Sequence, residues 1–167
     1  TPQEEFVIVE RMTGALTPVK AVVNTNQLID LRKDAAKVYV DPSLIEYAVK
    51  LATATREPDK FGIRNMAHYI MYGTSPRASI NLIITARSLA YVRGRSYVLP
   101  QDILDMALDV MRHRLVLSYE AMSDNVNGDM IITEIIKQIP APATPLQTHI
   151  MIQSQEVSDA VSTASVS

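Results

Sequence analysis

Three residues near the middle of the chain have the types and spacing to bind an anion: Ser75, Pro76 and Arg77, directly before an apolar run. Ser75 is a favourable N-cap because its hydroxyl can accept a hydrogen bond from a first-turn backbone N–H, and Pro76 suits the first helical position. A helix is therefore predicted to begin here with Arg77 in its first turn. Free backbone N–H groups, the positive end of the helix dipole and a guanidinium group together favour an anion, and phosphate matches the guanidinium best.

The same residues also fit a plainer explanation. A cation in the first turn of a helix is unfavourable by about 0.3–1 kcal/mol, because it lies at the positive end of the dipole. A bound anion would offset that cost, whereas a solvated arginine beside an ordinary cap would leave it uncompensated. The residues alone leave both explanations open.

The residues that follow Arg77 predict the helix that must hold it. Leu82 and Ala86 recur at helical spacing on an apolar side, while Asn81 and Thr85 lie on the polar side with Arg77. Similar amphipathic segments are predicted at residues 41–56, 98–114 and 130–139. We therefore predict an all-α bundle of about four principal helices. Shorter helices are expected upstream, at residues 1–12 and 24–38, and the second of these has an inner stripe of Leu28, Leu31 and Ala35.

Two segments between the helices are harder to interpret. Residues 57–74 are long for a connection, with 69–72 matching either a strand or a tight helical turn, and their Lys60 and Arg64 could reach the same anion as Arg77. Residues 118–128 are predicted to be polar, turn-forming chain. Beyond Pro140 the chain is rich in Pro, Ser and Thr, so an extended, disordered tail is expected, in which 150–152 could pair as a strand.

Composition excludes several classes of protein. The 167 residues have a net charge of -2 and include no cysteine, so the chain has no disulfide or thiolate site. The acidic balance argues against a general nucleic-acid binder. No apolar run reaches the roughly 18 residues that a membrane helix needs, and no metal-ligand spacing is present. We expect a cytoplasmic protein, and because the first residue is Thr1 rather than Met we expect a fragment or a processed chain.

Four blocks of sequence resemble the C-terminal lid domain of MoxR-type AAA+ ATPases. They are residues 73–78 (GTSPRA), 86–87 (AR), 93–102 (RGRSYVLPQD) and 113–115 (HRL), and with 54–56 (ATR) they lie within residues 41–140. The resemblance implies that residues 1–40 are the end of the nucleotide-binding core and a hinge, 41–140 the lid, and 141–167 a disordered tail.

The resemblance also implies a function. Arg77 would be the sensor 2 arginine that contacts the terminal phosphate of ATP, with Ser75 beside it, and Arg56 would be either a second contact or a plain cation at a helix C-terminus. The parent protein would bind ATP and Mg²⁺, hydrolyse ATP in a ring of subunits, and remodel client proteins, with von Willebrand A-type proteins as partners. The chain has no GxxxxGK[ST] motif, so on its own it should be inactive and bind nucleotide weakly.

Two other functions remain open from the residues. One is a noncatalytic helical interaction module that never binds nucleotide. The other is a small DNA-binding domain with a patch formed by Arg93, Arg95, Arg112 and Arg114, although the charge balance counts against it and simple dipole cations at helix ends would explain Arg93 and Arg95. Walker motifs upstream of Thr1 would favour the ATPase.

Overall fold

The structure is a computed structural model that describes residues 1–14 and 20–142. These residues form eight α-helices and one two-stranded sheet, which confirms the all-α prediction. The helices are α1 (Pro2–Thr13), α2 (Thr25–Ala36), α3 (Pro42–Ala54), α4 (Arg64–Ala67), α5 (Pro76–Val92), α6 (Pro100–Met111), α7 (Tyr119–Ser123) and α8 (Gly128–Gln138). Within these ranges no helix is long and apolar enough to cross a membrane. The predicted disordered tail from residue 143 onwards, and the strand at 150–152, lie outside the described residues.

The chain divides into two compact units, the first of which ends at Leu31. In this unit α1 begins with a reciprocal capping box between Thr1 and Glu4, and α2 is capped by Asn24, whose side-chain oxygen accepts a bond from the Gln27 N–H at 2.9 Å. The predicted inner stripe of α2 is wrong for the described residues. Leu28 and Leu31 are 50% and 42% exposed. Among the described residues, α1 and α2 contain no buried side chain.

The second unit, from Arg32 onwards, is built around a core between α3, α5, α6 and α8. The side chains that fill it are Leu, Ile and Ala rather than aromatic, and each large one contributes about 1.5–3 kcal/mol by leaving water. The fully buried examples include Leu44, Leu51, Leu82, Ile103, Ile131, Ile132 and Ile135. Three buried alanines on α5, at 78, 86 and 90, let neighbouring helices pack closely against it. Four principal helices were predicted for this bundle, and these are the four.

The connection from 57 to 74 has more structure than a loop. It contains a 3-10 turn at Pro58–Phe61, then α4, then the strand β1 (Ile70–Tyr72), which pairs antiparallel with β2 (Val116–Leu117). The strand alternative for 69–72 is therefore confirmed. The prediction of turn-forming chain at 118–128 is wrong in part. Ser118 accepts a bond from the Ala121 N–H and caps α7, and the side chain of Asn127 accepts a bond from the Met130 N–H and caps α8.

The far end of α5 is joined to α6 by a buried carboxylate. Asp102 is fully buried, and Arg95 donates to both of its oxygens at 2.6 and 2.7 Å. Arg93 donates to the same carboxylate at 2.8 Å, and so does the Leu99 backbone N–H, also at 2.8 Å. Arg93 also reaches Asp105 at 2.6 Å. The interpretation of Arg93 and Arg95 as simple dipole cations was therefore incomplete, because both neutralise a buried charge.

The same contacts weaken the case for a DNA-binding patch. Arg93 and Arg95 are occupied by Asp102, Arg112 forms ion pairs with Asp109 and Asp129, and Arg114 donates to the Val110 carbonyl oxygen at 2.9 Å. Phosphate contacts need cations whose charge is available to the backbone of the nucleic acid. Arg93 and Arg95 are therefore committed to a buried carboxylate, whereas the surface pairs of Arg112 are weaker and the bond from Arg114 to a neutral carbonyl leaves its charge available.

Asp102 makes stability depend on pH. Burial by itself raises the pKa of Asp102, but the bonds from Arg95, from the Leu99 N–H and from Arg93 outweigh it and hold the pKa below its usual value. A depressed pKa in the folded state means that the stabilisation is complete above about pH 4 and is lost as the pH falls through the folded-state pKa.

We predict that Asp102→Asn lowers the free energy of unfolding at pH 7 by about 3 kcal/mol, because two arginines lose their buried counter-ion. Urea unfolding of both proteins at pH 7 and at lower pH measures the effect. The difference in the free energy of unfolding between the two proteins should become smaller as the pH falls below about 4. Asp109→Asn, at a side chain that is 67% exposed, is the control and should change stability little. A difference in the free energy of unfolding that does not change with pH would show that Asp102 is not the ionised group responsible.

Candidate functional site

The helix that carries Arg77 begins where the sequence predicts, but its cap differs. Ser75 occupies the N-cap position in an extended conformation, and Pro76 is the first helical residue. The predicted hydrogen bond to the Ser75 hydroxyl is absent. The Ala78 N–H, which is a usual donor to such a hydroxyl, donates instead to the Ser75 backbone carbonyl at 2.9 Å. The Ser75 hydroxyl therefore does not serve as a cap.

Arg77 lies on the exposed face of α5. Its side chain makes no hydrogen bond or ion pair with any residue in the described ranges, and so no carboxylate of this part of the chain neutralises it. At helical spacing along the same side come Ile80 and Ile84, which are 57% and 53% exposed. The N-terminal end of α5 thus presents an unpaired cation beside an apolar strip.

The start of α5 is pressed against the end of α3 at Gly73. A Cβ added to Gly73 would lie 2.4 Å from the Thr55 carbonyl oxygen and 2.7 Å from the Arg56 backbone nitrogen. Such distances are far inside van der Waals contact, so only a residue without a side chain allows the two backbones to approach this closely. The turn before α5 therefore lies in direct backbone contact with the residues that follow α3.

Arg56 takes part in this contact. It follows the last turn of α3, and its Nη1 donates to the Thr74 carbonyl oxygen at 2.6 Å while its Nη2 donates to the Thr53 hydroxyl at 3.1 Å. The sequence left two explanations for Arg56, a plain cation at the helix C-terminus or a residue directed at a nucleotide. The structure places its guanidinium group beside Thr74, three residues before Arg77.

The other cations near the start of α5 differ in whether they are paired with another group. Lys60 is paired with Glu57, its Nζ lying 2.8 Å from a carboxylate oxygen, so its charge is largely committed. Arg64, in α4, is exposed. Arg87, further along α5, is half-buried, and its Nε has no hydrogen-bond partner among the described residues.

A concave surface also exists at the opposite end of α5. A cleft of about 340 Å³ is lined by residues that include Asp34, Tyr91 and Ser96. With a rise of about 1.5 Å per residue, the length of α5 separates Tyr91 from Arg77 by roughly 20 Å. The cleft contains none of the predicted site residues, so the unpaired arginine and the cleft are separate features.

Sequence reasoning missed the residues that support the start of α5. Thr55 and Thr74 are 1% and 0% exposed, and their hydroxyl oxygens lie 3.1 Å apart. The signal available was the glycine before Thr74, since an isolated glycine ahead of a helix cap often marks a close backbone approach. Its partner on α3 has no comparable signal, because the contact joins residues 19 positions apart.

Comparisons with known proteins agree with this architecture. The family profile described as the AAA lid domain matches residues 64–135. Chaperone MoxR1 of Mycobacterium tuberculosis is 39% identical over 152 residues, covering 89% of this chain and 40% of that protein. Protein MoxR of Paracoccus denitrificans is 34% identical over 111 residues, covering 63% of this chain and 32% of that protein. The chain thus spans less than half the length of these relatives.

A solved structure gives the same result. The crystal structure of a candidate ATPase from Cytophaga hutchinsonii superposes with a TM-score of 0.75 at 33% identity, covering 86% of this chain and 44% of that one. The helical bundle with its small two-stranded sheet is therefore an AAA lid domain. Within that class, the chain belongs to the MoxR-type AAA+ ATPases, as the four sequence blocks indicated.

We predict that Gly73→Ala destabilises the second unit by about 1–3 kcal/mol, because the new methyl group must push the α5 turn away from the Thr55 carbonyl. Urea unfolding of the two proteins measures the loss. Gly128→Ala is the matched control, since a Cβ at Gly128 would meet its nearest neighbour, the Arg112 carbonyl oxygen, at 3.4 Å. If the two variants are equally stable, Gly73 does not hold the turn in place.

Proposed function

We propose that this chain is the lid part of a longer, ATP-hydrolysing MoxR-type protein, and that Arg77 is its sensor 2 arginine. The observation that carries the proposal is the unpaired guanidinium group at the exposed start of α5. Arg93, Arg95 and Arg112 are each held by a carboxylate, whereas Arg77 and the exposed Arg64 have no such partner in the described ranges. Of these two, Arg77 lies at the start of a long helix that packs on α3 and α6. An arginine left unpaired at the positive end of a helix is suited to an anion that comes from elsewhere.

The residues at the start of α5 fit one end of a nucleotide. Arg77 would donate to oxygens of the terminal phosphate, which its planar fork suits better than a lysine would. The Ser75 hydroxyl is not used as a cap and could serve as an additional donor. Arg56, bonded to Thr74, would add positive charge nearby. The base and Mg²⁺ would be held by the nucleotide-binding part of the parent, where a P-loop supplies the groups that they need.

The proposed action of Arg77 is electrostatic. While the terminal phosphate is present, Arg77 binds it and draws the lid towards the nucleotide-binding part. Loss of that phosphate removes the partner of Arg77, and the lid is released to turn about a hinge. ATP thus supplies the charge, and this chain supplies the cation and the rigid helix that transmits its movement.

The wider context follows from the family. We propose that residues 1–40 complete the nucleotide-binding core and hinge and that residues 41–140 form the lid. The parent would form rings with neighbouring subunits in the cytoplasm and remodel or mature client proteins, with von Willebrand A-type partners. The relative from Mycobacterium tuberculosis is named a chaperone, which agrees with such a role.

A noncatalytic interaction module is the second candidate. It is favoured by exposed aromatic side chains at and beside the two-stranded sheet, where Tyr72 is 67% and Tyr119 is 82% exposed. Such side chains are suited to a protein partner. They are equally compatible with a lid that contacts its own ring, and only the ATPase proposal gives the unpaired Arg77 a task.

We predict that Arg77→Ala in the parent protein lowers the rate of ATP hydrolysis at saturating ATP about a hundredfold, because a preorganised donor to the reacting phosphate is lost. Steady-state turnover of the purified parent protein measures the effect. Lys137→Ala is the control, since that lysine is 67% exposed on α8 and its removal should leave turnover unchanged. Wild-type turnover in Arg77→Ala would reject the sensor role.

A second prediction concerns the chain alone. The 167-residue chain should hydrolyse no ATP and should bind it weakly, because one arginine and a helix end hold only one end of the nucleotide. Calorimetric titration with ATP, together with a phosphate-release assay, measures both properties. Tight binding, or turnover that persists through repeated purification, would contradict the division of labour proposed for the parent.

A further inference from the structure

Two of the buried polar residues have no task in the mechanism so far. In the described part of the chain the buried polar or charged side chains are Asp102, Thr55 and Thr74. Asp102 belongs to the arginine network at the far end of α5. The two threonines lie together where α3 ends and α5 begins, and burying hydroxyl groups in an apolar core costs free energy unless each one is hydrogen-bonded.

Both hydroxyl groups of this pair are hydrogen-bonded. The Thr55 hydroxyl donates to the Ala52 carbonyl oxygen at 2.7 Å, and its oxygen accepts a bond from the Thr74 backbone N–H at 2.8 Å. The two hydroxyl oxygens lie 3.1 Å apart, and the Thr74 hydroxyl also lies within 3.4 Å of the Ala52 carbonyl oxygen, to which it can donate. The Ala52 carbonyl lies in the last turn of α3, where carbonyl groups lose their helical donors. The threonines supply the missing one.

Thr74 is also held from outside. The Nη1 of Arg56 donates to its carbonyl oxygen at 2.6 Å, so the N–H, the hydroxyl and the carbonyl of this one residue are all bonded to the end of α3. We call the set formed by Thr55, Arg56 and Thr74 the threonine latch. Only Ser75 separates it from Pro76, the first residue of α5, and the ring of Pro76 fixes its own φ. The backbone of Arg77 is therefore located by the latch.

We propose that the threonine latch is a positioning device for Arg77, so that Thr55 and Thr74 set the rate of ATP hydrolysis without touching the nucleotide. This inference rests on the sensor role proposed above. The Ser75 hydroxyl makes no capping bond. The start of α5 is instead bonded to the end of α3 through the backbone N–H and carbonyl of Thr74. A displacement of about 1 Å in a group that must meet a reacting phosphate can cost on the order of a hundredfold in rate.

A double-mutant cycle in the parent protein tests the proposal. Thr74→Val keeps the shape of the side chain and removes its hydroxyl. We expect it to lower kcat for ATP about tenfold or more in the wild-type background, and to cause no further loss when Arg77 is already alanine. Thr74→Ser, which restores the hydroxyl, should return most of the activity. Thr85→Val is the matched control, because Thr85 also bonds backbone carbonyls of α5, at 2.7 and 3.2 Å, without contacting the latch.

The possible outcomes separate cleanly. If Thr74→Val lowers kcat by the same factor with and without Arg77, the latch contributes only general stability and the inference is wrong. If Arg77→Ala alone leaves turnover unchanged, the sensor role itself fails, which is a different result. Should Thr74→Val not fold, Arg56→Lys keeps the positive charge but loses the guanidinium fork that bonds both the Thr74 carbonyl and the Thr53 hydroxyl, and its loss of kcat must likewise vanish in the Arg77→Ala background.

Discussion

The close approach of Gly73 to the end of α3 is the contact on which the arrangement at the start of α5 depends. At this point two backbones are nearer than any side chain would permit, a Cβ on Gly73 falling 2.4 Å from the Thr55 carbonyl oxygen. Because they are so near, the Thr74 N–H reaches the Thr55 hydroxyl and the Arg56 guanidinium reaches the Thr74 carbonyl. A helix start that lacks a side-chain cap is thereby held by its neighbour. The backbone of Arg77, in the first turn of α5, therefore has a defined position.

The other end of α5 is fixed by different chemistry. Asp102 is buried and receives four hydrogen bonds, two from Arg95, one from Arg93 and one from the Leu99 N–H. Buried ion pairs of this kind add little net stability over apolar packing, but they tolerate few alternative geometries once formed. The threonine latch thus holds the beginning of α5, and the buried carboxylate of Asp102 with its two arginines holds the end.

The sequence predicted the helices well because their signals are local. A cap residue followed by proline, as at Asp41 and Ser75, together with apolar spacing, locates a helix without knowledge of its partners. It predicted poorly whatever depends on residues distant in sequence. The pairing of β1 with β2 and the bonds from Arg93 and Arg95 to Asp102 connect residues that are apart in sequence, and no local pattern predicts them. Arg93 was taken for a dipole cation for this reason, since its spacing shows a helix end but not the carboxylate that the fold brings to it. Arg77 stands out in the sequence because a cation in the first turn lies at the unfavourable end of the helix dipole, which is a local signal. That its guanidinium group has no partner in the described ranges is known only from the structure.

The central claim is that Arg77 meets the terminal phosphate of ATP. The most direct measurement is a structure of the parent protein with a non-hydrolysable ATP analogue bound. The account predicts a guanidinium nitrogen of Arg77 within about 2.7–2.9 Å of a terminal phosphate oxygen, the distance of a charge-assisted hydrogen bond. A fully bound analogue whose terminal phosphate is held by other residues, with Arg77 in an ion pair elsewhere or directed into solvent, would contradict it.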